Sequence, residues 1–340
     1  MSDQRTLQGQ VLGRKGQTRE TSRQAFSRMN LKSWMPPASS STAYGQENIV
    51  NNASARICAG HQSINNMEYP ESFKNLLVSV PDETYIGTGN PNAKILFIGN
   101  EPAIDLSKNE DQYKREILGN LDAWRNEANK IDYADIQRCV YYDASCKQWI
   151  ADVRHYNPLF PYKGQLFKKE VSRKGKAIHN GGVGQMWLNQ QKLVNSILGL
   201  KQEDEINFHM HCFSTDFSTA TALRSSLVNP LEREKSINDR ASLFRHSFFN
   251  SFPIIIVACG HYVKNNPALS DLTEVFRTSE EKIFIFDEDH SKKDSPWINV
   301  HRSISRNRPA QILLHTHHLA SRNINDEYFR TIAELCRDMV

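Results

Sequence analysis

Two short polar stretches carry the residue types that could do chemistry. One is Gly99-Asn100-Glu101-Pro102, directly after the apolar run Ile95-Leu96-Phe97-Ile98; the other is His315-Thr316-His317-His318-Leu319, after Gln311-Ile312-Leu313-Leu314. A carboxylate can position and activate water and stabilise a developing cation, and a neutral imidazole can donate to a developing anion. Three histidines within four residues suggest a metal at first sight. Yet His317 and His318 are adjacent and diverge in most backbone conformations, and neither a His-x-x-x-His helix face nor a carboxylate follows at useful spacing. No metal and no cofactor are expected.

The elements that must position these residues can be read from the apolar pattern. Four consecutive apolar residues ahead of a Gly and a Pro predict a buried strand that ends in a tight turn. Polar residues just past such a strand lie in the crevice where open α/β sheets bind ligands. Residues 109 to 137 have helical spacing, with Tyr113, Ile117, Leu121 and Trp124 on one face, and Trp187 to Leu200 is a second amphipathic helix. Ile206 to Phe213 reads as a strand, 219 to 228 and 236 to 252 as helices, and Ile254 to Gly260 as the clearest buried strand. Lys282 to Phe286 and Ala310 to Leu314 complete the strands, and Asp326 to Met339 is the closing helix. This alternation predicts an α/β three-layer sandwich with a mostly parallel central sheet of four or five strands.

Residues 1–45 are rich in Gln, Ser, Arg and Gly and lack a periodic apolar pattern, so a flexible basic arm is expected there. Residues 46–340 are read as one α/β domain with an insertion at about 139–184. The loop Asn180-Gly181-Gly182-Val183-Gly184 lacks G-x-G-x-x-G spacing, which argues against a dinucleotide site. The six cysteines include no C-x-x-C pair, which argues against a zinc ribbon or a local iron–sulfur cradle. No apolar run approaches the ~20 residues that span a bilayer, and the first thirty residues have no apolar secretory core, so a cytoplasmic protein without a membrane partner is expected. A net charge of +4 is small, but Lys168, Lys169, Arg173 and Lys174 lie in a basic cluster, and Arg302, Arg306, Arg308 and Arg322 lie near the last strand. These groups suit phosphate contacts, and a solvated face accounts for them equally well.

With both motifs in place, the chain resembles the uracil-DNA glycosylase superfamily. Gly99-Asn100-Glu101-Pro102 matches the superfamily's Gly-x-x-Pro motif, and His315-Thr316-His317-His318-Leu319 loosely matches its His-Pro-Ser-Pro-Leu type motif. The Ile254 to Gly260 strand is similar to its central strand, and Phe208 to Ser214 to the strand that carries the base-reading side chain. The resemblance covers the order of elements from about 93 to 338. It implies a uracil-DNA glycosylase-like fold and a DNA glycosylase that extrudes a damaged or modified pyrimidine and hydrolyses its N-glycosidic bond. It further implies Glu101, Asn100 and His315 as catalytic residues, with Glu101 near the sugar and His315 donating to the departing base. Gly99, Pro102, Ala103, Tyr113 and His317 are implied around the base, Tyr113 as the stacking aromatic.

The departures from the family pattern carry their own expectations. Uracil-selective members place a Tyr after the motif proline, and Ala103 stands there instead, which leaves room for a C5 substituent. The base reader is usually Asn, and the strand that corresponds to it, Phe208 to Ser214, offers His209, His211 or Cys212. The partner implied is DNA, single- or double-stranded, in repair or in defence against phage with modified DNA, with no obligate protein partner evident. Two other readings stand beside this one. One is a nucleic-acid-binding protein on the same fold without chemistry, and the other a hydrolase of small nucleosides or nucleotides.

Overall fold

Strand β2 (Ile95–Gly99) lies at the middle of a sheet and is buried along its whole length, as its unbroken apolar run requires. The computed structural model describes residues 68–126, 128, 140–143, 148–151, 156–161, 170–171, 177–179, 184–201, 206–222, 224–285, 296–303, 310–320 and 324–340. The remaining strands of the main sheet are β1 (Thr88–Gly89), β7 (Cys212–Asp216), β8 (Ile254–Val257), β9 (Thr278–Ile285), β10 (Trp297–Ser303) and β11 (Ile312–Thr316). Two separate ribbons, β3 (Val140–Asp143) with β4 (Gln148–Ala151) and β5 (Glu170–Val171) with β6 (Ala177–His179), lie within the expected insertion. The basic residues Lys168, Lys169, Arg173, Lys174 and Arg322, and the arm at 1–45, fall outside the described residues.

The protein is α/β, with seven strands in the order β1-β7-β2-β8-β11-β10-β9. The four central strands, β7, β2, β8 and β11, are parallel, and the outer strands pair antiparallel. Four or five mostly parallel strands were expected, so the parallel centre agrees and the antiparallel edges are additional. From β2 the chain crosses to β7 on one side, then returns past β2 to β8 on the other. The connections diverge at the carboxyl ends of β2 and β8, which makes that end a topological switch point.

Side chains alternate across the strands, so each parallel strand feeds both faces of the sheet. Ile95, Phe97, Ile254, Ile256, Ile312 and Leu314 pack against α4 (Gln185–Leu198) and α7 (Asp326–Cys336) through Leu193, Val194, Ile197, Tyr328 and Ile332. The other face meets α1 (Glu71–Ser79), α3 (Asn120–Asn126) and α5 (Pro230–Phe244) through an aromatic cluster. Phe73 of α1 lies 5.0 Å from Trp124 of α3 and 5.9 Å from Phe213 of β7, between ring centroids. Phe217, just past β7, lies 4.9 Å from Phe244 of α5. Truncating one such fully buried phenylalanine typically costs about 3–5 kcal/mol, so β7 is anchored firmly beside β2.

The helix ends agree with their local sequence. In α2 (Leu106–Tyr113) the Asp105 side chain accepts from the Ser107 amide. In α5 Asn229 accepts from the Leu231 amide, with Pro230 at the first turn, where no amide donor is missed. The expected helix at 109–137 appears instead as α2, a π-turn at Lys114–Leu118 and α3; Ile117, Leu121 and Trp124 are buried as the spacing predicts. A short helix α6 (Leu272–Phe276) leads into β9. Among the described residues of 219–228 the one helical element is a single 3₁₀ turn at Ser225–Leu227, in place of the expected helix.

The largest revision concerns the strand after α4. Ile206 to Phe213 is not one strand: Phe208–Met210 is a 3₁₀ turn, and β7 begins at Cys212 and runs to Asp216. Among the described residues no helix is long and apolar enough to cross a membrane.

Candidate active site

The motif after β2 is held from both flanks. The Phe217 amide donates to the Gly99 carbonyl at 3.0 Å and the Ser218 amide to the Asn100 carbonyl at 2.9 Å, while on the other side the Ala258 amide donates to the Ile98 carbonyl at 2.9 Å. The next turn is tied down by Thr221, whose hydroxyl accepts from the Ile104 amide at 2.9 Å and reaches the Pro102 carbonyl. Polar side chains at 100 and 101 are therefore presented by a fixed backbone at the switch point.

Two of their atoms have no local use. Asn100 Oδ1 and Glu101 Oε2 are buried and accept no hydrogen bond from the described residues. A buried acceptor left unpaired costs about 1–3 kcal/mol, and such groups in a cleft commonly await a ligand. Glu101 does have polar neighbours. The Tyr262 hydroxyl faces both Glu101 and Ser218, and its pKa is pushed up mainly by burial and then by the Glu101 carboxyl. The Arg233 guanidinium sits over the Tyr262 ring, 4.9 Å from its centroid.

Beside the motif stands Asp216, the last residue of β7 and the register partner of Gly99. A Cβ at position 99 would collide with Asp216 Oδ1 and touch Met186 Cε at 3.6 Å, so only glycine leaves the carboxyl its place. Burial raises the Asp216 pKa to about 7, Arg240 opposing the rise and Glu101 adding to it. Arg240, buried on α5, donates to the Asp216 carbonyl at 3.1 Å from Nε and at 2.9 Å from Nη2, to Thr215 Oγ1 at 3.1 Å, and to the Tyr85 carbonyl. It clamps the end of β7 through the backbone, and among the described residues no donor reaches the Asp216 carboxyl.

The third contribution comes from the turn after β11. Burial lowers the His318 pKa, while the field of Glu101 raises it, which sets the two groups near each other. The Ala320 amide donates to His318 Nδ1 at 3.2 Å, so the neutral ring carries its proton on Nε2 and offers a donor. The Glu101 and Asp216 carboxyls past β2 and at the end of β7, with the His318 imidazole after β11, supply acid–base groups at this end of the sheet. Burial favours the acid form of the Asp216 carboxyl, and a buried carboxylic acid of that kind can serve as a proton donor.

The other residues expected at the site lie elsewhere. His315 is inside β11, paired with Val257 and Asn299, and not past the strand end. Its Nε2 lies 2.7 Å from the Gly260 carbonyl, Trp297 stands edge-on at 4.9 Å, and burial pushes its pKa down to about 4. With that donor used, His315 supports the Gly260 turn. Gly260 itself takes a left-handed φ of 57° that lets the chain leave β8 toward His318. His317 follows directly, with its amide donating to the Trp297 carbonyl at 3.3 Å.

Compared with known protein families and with curated proteins, the chain matches none. The geometry alone therefore carries the functional reading.

His209, His211 and Cys212, expected as base readers, lie at the opposite end of β7 from Asp216. Cys212 opens β7, four residues or about 13 Å from Asp216 at strand spacing, and the two histidines precede it in the turn that leads into the strand. His209 is buried against Phe208 and Trp187, with its pKa pushed down to about 3, and the Cys212 thiol is buried and pushed up to about 12. Tyr113 packs with Tyr85, Ile104 and Ile117, and its hydroxyl donates to the Thr219 carbonyl at 3.5 Å. Ala103 is exposed beyond the motif proline. Among the described residues no group of three or more His, Cys, Asp or Glu side chains could hold a metal ion.

Asp216, Tyr262 and His318 are thus the site residues that motif reading missed. For Asp216 a signal was available in the sequence: an acidic residue that closes a β-rich segment, Cys212-Phe213-Ser214-Thr215, stands at the carboxyl end of a strand just as Asn100 does.

Proposed function

We propose that this chain is a DNA glycosylase of the uracil-DNA glycosylase-like kind. It takes an extruded modified or damaged pyrimidine into the crevice beyond β2 and β7, hydrolyses the N-glycosidic bond and leaves an abasic site. The observation that carries the reading is that Glu101 and Asp216 stand together beyond the carboxyl ends of β2 and β7, backed by unpaired buried acceptors on Asn100 and Glu101. Flipping a base costs a few kcal/mol, least for a damaged or weakly paired one, and a prebuilt polar pocket offsets that cost.

The residue types suit the reaction. Cleavage develops positive charge on the deoxyribose and negative charge on the departing base. Glu101 positions water against C1′, accepts its proton and stabilises the cation. The His318 Nε2 proton is a preorganised donor for the departing base, the kind of contact typically worth about 3–4 kcal/mol. Ala103, exposed past the motif proline, puts no bulky side chain there that could exclude a C5 substituent, which fits a role in repair or in defence against DNA with modified pyrimidines.

The test is mass spectrometry of free bases after incubation with a panel of oligonucleotides carrying uracil, cytosine and their C5-substituted forms. Release of a free pyrimidine with formation of an alkali-labile site is expected. DNA binding without release from any member would favour a non-catalytic nucleic-acid-binding protein. Release only from free nucleosides would favour a small-molecule hydrolase.

A further inference from the structure

The floor of the crevice carries a group whose chemistry selects among pyrimidines. The Asp216 carboxyl occupies the space above Gly99, with the Met186 methyl on the α4 side. The titratable and charged groups that face it are Glu101 from the β2 turn, Tyr85 ahead of β1 and Arg240 from α5, and Arg240 spends its donors on carbonyls and on Thr215. Behind Glu101 stand Tyr262 from the β8 turn and His318 from the β11 turn. No described residue donates to the Asp216 carboxyl, so its edge is open to a ligand.

Resting on the glycosylase reading, we propose that the base taken by this crevice is a 4-aminopyrimidine, of the cytosine type, bound through N3 and the exocyclic amine to the Asp216 carboxyl. A carboxylic acid presents one O–H donor beside one carbonyl acceptor. The N3 lone pair accepts the first, and the 4-amino group donates to the second. Burial together with the field of Glu101 keeps the acid form populated at neutral pH.

A 4-oxo base can also make two hydrogen bonds to a carboxylic acid, through O4 and N3–H, so shape alone does not discriminate. Proton transfer does. In a 4-aminopyrimidine N3 is basic. As the C1′–N1 bond breaks and its electron pair passes to the base, the Asp216 proton moves to N3, the base leaves neutral and Asp216 is left as a carboxylate. The water oxygen bonds to C1′ and its proton goes to Glu101; Glu101 then gives that proton to solvent and Asp216 takes one back from solvent, which restores both groups. In a 4-oxo base N3 already carries hydrogen and O4 is too weak a base to take the proton, so that base must leave as an anion.

The experiment compares release from two pairs of oligonucleotides matched at C5: cytosine with uracil, and 5-hydroxymethylcytosine with 5-hydroxymethyluracil. Faster release of the 4-amino member, by about 100-fold in at least one pair near neutral pH, is expected of a productive general acid. That ratio falls as pH rises from about 6 to about 9, as Asp216 loses its proton. Asp216→Asn lowers the ratio at least ~10-fold; if that variant does not fold, the wild-type ratio and its pH dependence decide. Faster release of the 4-oxo member in both pairs, or a ratio indifferent to pH, overturns the inference and leaves the glycosylase reading standing. Release of no base from any oligonucleotide overturns both.

Discussion

Gly99→Ala separates the position of the Asp216 carboxyl from the stability of the fold. The new methyl would lie well inside the roughly 3.5 Å of ordinary contact with Asp216 Oδ1, while its contact with Met186 at 3.6 Å is acceptable. The colliding atom is the free end of a side chain, so the carboxyl yields by about 1 Å and the backbone stays. An off-rotamer side chain costs about 0.5–1.5 kcal/mol, and replacing a strand glycine returns about 0.5–1 kcal/mol, so the net change in stability is within about 1 kcal/mol. At ~2–4 °C per kcal/mol, the melting temperature moves by only a few degrees. A displacement of about 1 Å in a catalytic group can cost ~100-fold in rate. The assay is single-turnover release of the preferred base beside a thermal melt. A rate within ~3-fold of wild type at unchanged stability would mean that the Asp216 carboxyl does not act where the structure holds it.

Further outcomes follow from the same contacts. Asn100→Ala removes a side chain that makes no hydrogen bond to the described residues, so stability should change by less than ~1 kcal/mol while base release falls at least ~10-fold, read by urea denaturation and by product mass spectrometry. Arg240→Ala leaves the Asp216 and Tyr85 carbonyls without their donor and should cost about 3–5 kcal/mol, seen as a large drop in denaturation midpoint. His209 is held neutral in the fold, near a pKa of about 3, whereas the unfolded chain gains a proton as pH drops below about 6.5. Stability is therefore lost as pH falls through that window. His209→Phe should narrow the gap between melts at pH 7.5 and pH 5 by an amount equivalent to about 2 kcal/mol.

The parts of this fold that were legible are those buried on both faces. β2, β8 and β11 are continuous apolar runs, and such runs have no other stable place in an α/β protein. β10 was missed because it is an outer antiparallel strand, with Ile298 and Val300 buried between more polar neighbours, a pattern too short and mixed to stand out. β7 was displaced because Ser214 and Asp216, the two less buried residues of the strand, break its apolar signal, while Ile206 and Phe208 supply a false start in the core. That shift of register hid Asp216. His315 illustrates a limit of one residue: β11 runs to Thr316, so the first histidine is spent inside the sheet and the turn that follows carries His317 and His318. Glu101 could be placed because Gly99 and Pro102 punctuate the chain on either side of it.

The central claim is that a glycosidic bond is broken by water activated at Glu101. The most direct measurement is the single-turnover rate of base release by Glu101→Gln on the substrate that wild type cleaves fastest, with DNA affinity measured on the same preparation. The account predicts a fall of ~10²–10⁴-fold in rate, typical of losing a general base, with affinity essentially retained. An unchanged rate would contradict it.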